Sequence, residues 1–267
     1  MTTRVAVAGG RGRLGRIIVD VATALEGFEV VAVLDSSSDL SELDGADLVV
    51  DATHPAASSD IVRAAIERGQ QLLVGTSGWS AQRIAPLRSA LADAGTGAVF
   101  VPNFALGSVV GTALAAAAAP LFDSVEIIEA HHAGKVDSPS GTAVRTAEVI
   151  GAARSTPVEA PHVDQRARGQ QVSSVPIHSL RRPGVVAKQE VILSGPGESL
   201  SIVHDTVDSA AAYAPGIRLA LQGAVSAIGV VVGLESFIDI GLRLPQDRAP
   251  KVVAGEPGGQ AAQVTSA

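Results

Sequence analysis

No cysteine occurs among the 267 residues. That absence excludes disulfides, thiol nucleophiles, thiolate zinc sites and cysteine-ligated iron–sulfur clusters. Aromatic residues are scarce as well, with one tryptophan, one tyrosine and five phenylalanines. The positive mean hydropathy therefore reflects alanine and valine rather than large membrane-seeking side chains. The longest apolar run, SVVGTALAAAAAPLF from Ser108, is broken by glycine and proline and is too short and too weakly apolar for a spanning helix, so no membrane association is expected. A basic and then apolar leader is missing too. MTTRVAVAGG runs straight into a strand-like segment, and a cytoplasmic enzyme is the expectation. Nor is positive charge in excess. The formal net charge of −7 speaks against a nucleic-acid partner, while leaving room for a local basic pocket around a small anion.

The length suits one large domain or two modest ones, with a sizeable buried core. Over the first hundred residues RVAVA from Arg4, EVVAVL from Glu29, DLVV from Asp47, LLV from Leu72 and AVFV from Ala98 alternate with amphipathic segments such as LGRIIVDVATAL and IVRAAIERG. Near-continuous Val/Leu/Ala strands joined by helices predict an α/β fold with a doubly wound, Rossmann-type parallel sheet covered on both faces. Past Phe104 the rhythm changes. An Ala-rich helix, a strand from about Ser124 to Glu129, a helix through roughly Ala153 and a Pro/Gly/Gln-rich loop from Arg154 to Val175 follow in turn. VVAKQEVIL and SLSIVHD then alternate with period two, which predicts a second, α+β domain whose sheet rests one face on helices and leaves the other for a partner. Helix resumes from about Tyr213 to Ser226, and VVVGLE reads as a strand. The expected division is a dinucleotide-binding domain over 1–105 plus about 214–245, a substrate-binding and oligomerisation domain over 106–213, and a disordered tail over 246–267.

The first motif is AVAGGRGRLGR. Gly9, Gly12 and Gly15 stand between a strand and a helix, where glycine permits a tight turn and close approach of backbone to a pyrophosphate, and the helix N-terminus offers free N–H groups. Asp35, about twenty residues on at the end of the second strand, is placed to accept from an adenosine ribose and favours NAD; Arg11 and Arg13 could instead neutralise a ribose 2′-phosphate. These cues conflict, so NADH and NADPH are both expected to serve. GTSGWS from Gly75 and PNFALG from Pro102 follow strand ends, where an open parallel sheet binds its ligands. DATHPAA from Asp51 belongs with them, and its His54 reads equally well as a loop residue or a ligand contact.

The second motif is EIIEAHHAGKVDSPSGTA, from Glu126 to Ala143. A metal site is disfavoured, because His131 and His132 point to opposite sides of an extended chain and Lys135 repels a cation. An anion site fits better. Lys135 and the histidines are donors, and Ser140, Gly141 and Thr142 offer hydroxyls and backbone N–H groups at a helix N-terminus that Pro139 sets just after itself. Together the motifs describe a reduced nicotinamide delivering hydride to a small carboxylate-bearing substrate, with a histidine or Lys135 as proton source.

With VAVAGGRGRLGR, DATHP, VGTSG, PNFALG and above all EAHHAGKVDSPSGTA in place, the sequence resembles the 4-hydroxy-tetrahydrodipicolinate reductase (dihydrodipicolinate reductase) family up to about Leu242. The resemblance implies His131 as proton donor/acceptor and Lys135 as second proton donor, also in contact with substrate. It further implies His132, Ser140, Gly141 and Thr142 on the substrate carboxylates, and an NAD(P)H site lined by Gly9, Gly10, Arg11, Gly12, Arg13, Leu14, Asp35, Gly75, Thr76, Ser77, Val101, Pro102, Asn103 and Phe104. The implied reaction dehydrates and reduces 4-hydroxy-2,3,4,5-tetrahydrodipicolinate to tetrahydrodipicolinate in lysine and diaminopimelate biosynthesis, in a homotetramer built through the second-domain sheet and without a metal. The chain departs from the family pattern at Ser77, at Ala52 in place of an aromatic residue, and in DSAAAYAPG from Asp208, which lacks a common arginine and carries an extra residue. A related two-domain dehydrogenase would keep the glycine loop without both histidines and the lysine. A cofactor-sensing module without catalysis would lack His131 or Lys135.

Overall fold

The computed structural model describes residues 2–240. The expected tail at 246–267, and the stretch 241–245 assigned with the first domain, lie outside them. The chain opens with β1 (Thr3–Ala8), α1 (Arg13–Ala24), β2 (Phe28–Leu34), β3 (Leu48–Asp51), α2 (Pro55–Glu67), β4 (Gln71–Val74), α3 (Ala81–Ile84), α4 (Leu87–Ala94) and β5 (Gly97–Phe100). It continues through α5 (Leu106–Ala118), β6 (Ser124–His131), α6 (Gly141–Ala153), β7 (Gln170–Val172), β8 (Val175–Arg181), β9 (Ala187–Gly195) and β10 (Glu198–Thr206), then returns by α7 (Ser209–Val225) and β11 (Gly229–Val232). No described helix is long and apolar enough to cross a membrane.

Six parallel strands form the first sheet in the order β11-β5-β4-β3-β1-β2. Side chains alternate across each strand, so Val5 and Val7 of β1 face one side and Ala6 and Ala8 the other, and all four are buried. Ile18 of α1 and Ile217 and Leu221 of α7 close the first side over Leu48, Leu73 and Val99. Val62 and Ile66 of α2 and Leu91 of α4 close the second over Val49, Leu72 and Ala98. This two-sided cover is why these strands lack the polar alternation of a half-exposed sheet.

The second sheet is mixed, in the order β10-β9-β6-β8-β7, with β6 and β8 parallel and the other pairs antiparallel. Val125, Ile127, Ile177, Val191 and Leu193 face α5 and α6, where Ala143, Ala147 and Ile150 cover them. Leu180 and Val203, on the opposite face, are exposed.

Three boundaries differ from the sequence reading. β6 runs on to His131 instead of stopping near Glu129. The segment read as loop to Val175 contains β7, and β8 follows at once although its sequence VPIHSLR shows no clean apolar alternation. The last long helix begins at Ser209, not near Tyr213, because Asp208 caps it by accepting from the N–H groups of Ala210 and Ala211 at 2.8 and 3.2 Å; Pro215 is held within it.

α7 touches the loop after β5 at one point of extreme closeness. A Cβ built on Gly216 would lie 1.9 Å from the Phe104 carbonyl oxygen, so helix and loop meet only because that side chain is absent. Gly216→Ala should destabilise the protein by about 1–3 kcal/mol, the usual range for overpacking. Urea melts measure this, and an unchanged midpoint would show that the loop moves aside freely.

Candidate active site

Both ends of the first motif are built by backbone. Gly9 adopts φ +77°, and a Cβ there would meet the Ala52 carbonyl oxygen at 2.5 Å, so the turn after β1 packs directly on the loop after β3. Gly12 sits at the N-cap of α1 with no capping side chain, and the first turn carries no acidic residue. A helix start left open in this way, with its dipole uncancelled, fits the pyrophosphate of a dinucleotide. Asp51, fully buried at the end of β3, fixes the next loop by accepting from the Thr53 N–H at 3.0 Å, the Thr53 hydroxyl at 2.6 Å and the Ser58 hydroxyl. The same Thr53 N–H reaches the Thr76 hydroxyl at 2.9 Å, tying this loop to the one after β4. His54 stands at the N-cap of α2 and is not among the walls of the cleft described below.

Arg11 and Asp35, which gave conflicting cues in sequence, are bound to each other at 2.8 Å. Asp35 also accepts from the Ser37 hydroxyl and N–H at 2.6 and 2.9 Å; these bonds, with the Arg11 charge, hold its carboxyl below the usual range. Neither residue of this pair is among those lining the cleft, nor are Gly9 and Gly10, whereas Arg13 lines it.

In the second unit, strand periodicity puts Glu129 and His131 on the helix-facing side of β6. Glu129 is 0 % exposed. Its carboxylate meets His131 Nδ1 at 2.6 Å, Arg181 Nη1 and Nη2 at 3.0 and 2.9 Å, and the Ser140 N–H at 3.3 Å. Burial alone would raise this acid. Hydrogen bonds from His131, Arg181 and Ser179, with the Arg181 charge, bring it down to about 2 instead. With Nδ1 committed, Nε2 is the nitrogen His131 has left for the cleft.

The chain then turns through His132 to Lys135, closed by Lys135 N–H to His132 carbonyl at 3.1 Å. Lys135 Nζ lies 2.8 Å from Asp137. Burial raises the Asp137 carboxyl, but the Lys135 hydrogen bond and charge outweigh it and the net shift is downward. Ser140 caps α6 by accepting from the Ala143 N–H at 3.2 Å, at the helix start the sequence placed there, and its hydroxyl keeps an O–H to donate.

One cleft of about 1610 Å³ joins the two units. Gly12, Arg13, Leu14, Thr76, Ser77 and Pro102 line it from the first; His131, His132, Lys135, Ser140, Gly141 and Thr142 line it from the second. An adjoining cavity of about 190 Å³ adds Gly75, Asn103 and Phe104, and Val101 faces both. Asn103 bridges the units, donating to Ser108 at 3.0 Å and to the Thr142 hydroxyl at 3.3 Å. At the departures from the family pattern, Ala52 and Tyr213 lie on the cleft wall, and Trp79 supplies an aromatic surface there, packed 5.1 Å from Phe100.

Sequence reasoning missed Glu129, Arg181 and His204. Glu129 carried a signal, two residues before His131 in a strand and hence on its face. Arg181 carried none, since its strand went unread. His204, on the wall of the smaller cavity, is depressed by burial against the opposing pull of Asp205.

Comparison with known proteins follows the same two-part plan. A family model described as the N-terminus of dihydrodipicolinate reductase matches residues 3–104, and one described as its C-terminus matches residues 107–238. The chain is 52 % identical over 280 residues, covering all of both chains, to a 4-hydroxy-tetrahydrodipicolinate reductase of Clavibacter michiganensis. It is 42 % identical over 246 residues to that of Streptomyces griseus, covering 89 % of this chain and 98 % of the relative. Among solved structures, a dipicolinate-bound dihydrodipicolinate reductase from Paenisporosarcina sp. TG-14 superposes with TM-score 0.76 at 29 % identity, over 89 % of this chain and 100 % of the other.

The buried carboxylate has a measurable consequence. An acid whose folded value is depressed contributes stability above its unfolded value and loses it as the pH falls through the folded one. From the ordinary 4.5 down to about 2, stability should therefore fall more steeply in the native protein than in Glu129→Gln. Denaturant melts across that window test it; equal acid slopes would remove Glu129 as the source.

Proposed function

The chain belongs to the dihydrodipicolinate reductase family and catalyses the NAD(P)H-dependent reduction of 4-hydroxy-tetrahydrodipicolinate in lysine and diaminopimelate biosynthesis; from that premise we propose how its residues divide the work. His131 and Lys135 handle protons. His132, Lys135, Ser140, Gly141 and Thr142 grip the carboxylates of a small dicarboxylate substrate. The observation that carries this reading is the single cleft with the open start of α1 on one wall and His131, Lys135 and the start of α6 on the other. A relative of the same fold holds dipicolinate, a planar dicarboxylate.

A bound reduced nicotinamide supplies hydride. Loss of water from the substrate leaves a conjugated imine, C4=C5–C6=N1; hydride arriving at C4 pushes the electron pair toward C5 and the ring nitrogen, and a proton must then be added at C5 to restore the imine. His131, steadied through Nδ1 by Glu129, offers Nε2 for that transfer, and Lys135 is the second donor. Lys135 meets a carboxylate by giving up Asp137. The start of α6 adds N–H groups and a positive dipole end to the grip. Phe104 and Tyr213 give the smaller cavity aromatic walls.

In the proposed organisation residues 1–105 plus about 214–245 bind cofactor and 106–213 bind substrate. The open face of the second sheet, with Leu180 and Val203 exposed, is the surface through which four copies would assemble. The enzyme would work in the cytoplasm.

Lys135→Ala should lower kcat on the order of 100-fold or more while leaving NADH binding unchanged, because this group acts in the transition state. Turnover is measured by NADH or NADPH oxidation, with substrate made from pyruvate and aspartate semialdehyde by the preceding synthase. Thermal stabilisation by pyridine-2,6-dicarboxylate should likewise be lost in the variant. Unchanged turnover removes Lys135 from the mechanism. For the cofactor, Arg11→Ala should raise KM for NADPH more than for NADH, since only NADPH brings a phosphate to the Arg11–Asp35 pair. Equal changes would place the 2′-phosphate elsewhere.

A further inference from the structure

Arg181 offers an arginine beside the substrate cleft, and an arginine there invites the reading of a carboxylate clamp. Its bonding excludes that role. A guanidinium has five N–H donors and no acceptor. Nη1 and Nη2 donate to the two oxygens of Glu129 at 3.0 and 2.9 Å. The remaining donors go to backbone: Nε to the Lys135 carbonyl at 3.3 Å, Nη2 to the Asp137 carbonyl at 2.5 Å, and Nη1 to the Leu180 carbonyl at 2.7 Å. All five are spent inside the protein, and none is left for a ligand.

What they hold is the informative part. Glu129 is the buried carboxylate that fixes His131 through Nδ1, and Lys135 and Asp137 belong to the turn that carries the second proton donor and its counter-ion. The register of the second sheet brings this about. β6 and β8 run parallel with His131 level with Arg181, and the Arg182 N–H donates to the His131 carbonyl at 3.0 Å. A forked, planar side chain can reach a carboxylate and two carbonyls together; an ammonium on a flexible stem cannot keep that geometry.

We infer that Arg181 is a positioning residue that sets both proton-handling groups at once, His131 through Glu129 and Lys135 through the carbonyls of its turn. The inference rests on the assignment of His131 and Lys135 to proton transfer. It makes Arg181 responsible for the distance between two groups that belong to different segments, strand end and turn, and that share no direct bond of their own.

The test is Arg181→Lys, which keeps the charge and loses the fork. Its kcat should fall on the order of 100-fold, as expected when reacting groups are displaced by about an ångström, with NADH affinity and cooperative unfolding retained. In a double-mutant cycle, Arg181→Lys should cost little further kcat once Glu129→Gln has been made, because the two act as one unit. Wild-type kcat in Arg181→Lys overturns the inference, as do losses that multiply fully in the double variant, or a loss confined to folding with kcat per folded enzyme intact. His131→Gln and Lys135→Ala assayed beside them separate the two levels. Turnover retained in those variants defeats the proton assignment itself, whereas turnover lost in them and kept in Arg181→Lys defeats the positioning role alone.

Discussion

A carboxylate with no exposed surface has to find donors within the protein, and the second unit is arranged around that demand at Glu129. Removing one partner from a buried charge is far more damaging than the net worth of the pair. The demand is met from three directions, by His131 on its own strand, by Arg181 on a parallel neighbour and by the N–H of Ser140 at the start of α6. Satisfying one buried charge thus fixes a ring orientation, a strand pairing and the docking of a helix start. Those three also bring His131 and Ser140 to the second unit's wall of the cleft. In the proposed division of work, structural necessity and the geometry needed for chemistry coincide in this cluster.

The other half of the site obeys a different constraint. There, backbone comes close to backbone, so this side is written in glycine and in a helix start without a capping side chain. Among the described residues, few polar side-chain links cross between the halves: Asn103 to Ser108 and to Thr142, and the ion pair of Arg145 with Glu235 at 3.5 Å. Sparse polar links across a large cleft are suited to relative movement of the two walls.

The glycine loop and the His-His-Lys run were legible in sequence because each is a local pattern, a strand-turn-helix in one case and a compact polar cluster before a capped helix in the other. β8 was illegible for an equally physical reason. His178 binds Glu126 at 2.7 Å and Arg181 binds Glu129, so the polar residues that spoil its alternation are partners of carboxylates about fifty positions away. Nothing within VPIHSLR announces them. The start of α7 was misplaced because Pro215 suits the first turn of a helix, whereas here Asp208 begins it earlier and the proline is carried in the interior. Asp35 was found by spacing, but that Arg11 would be its partner instead of its rival is a matter of three-dimensional distance.

The return of the chain to the first sheet bears on synthesis as well as on the finished molecule. Ile217, Leu221 and Ala224 of α7, and β11 at the sheet edge, come from the last part of the described chain, yet they cover Val5, Leu48, Leu73 and Val99 from its beginning. A ribosome that has released only the first hundred residues has released a sheet with one apolar face partly bare. That face stays bare while the whole second unit is being made. Until α7 emerges that face has no cover from its own chain, and the second unit has the opportunity to fold before the first is complete.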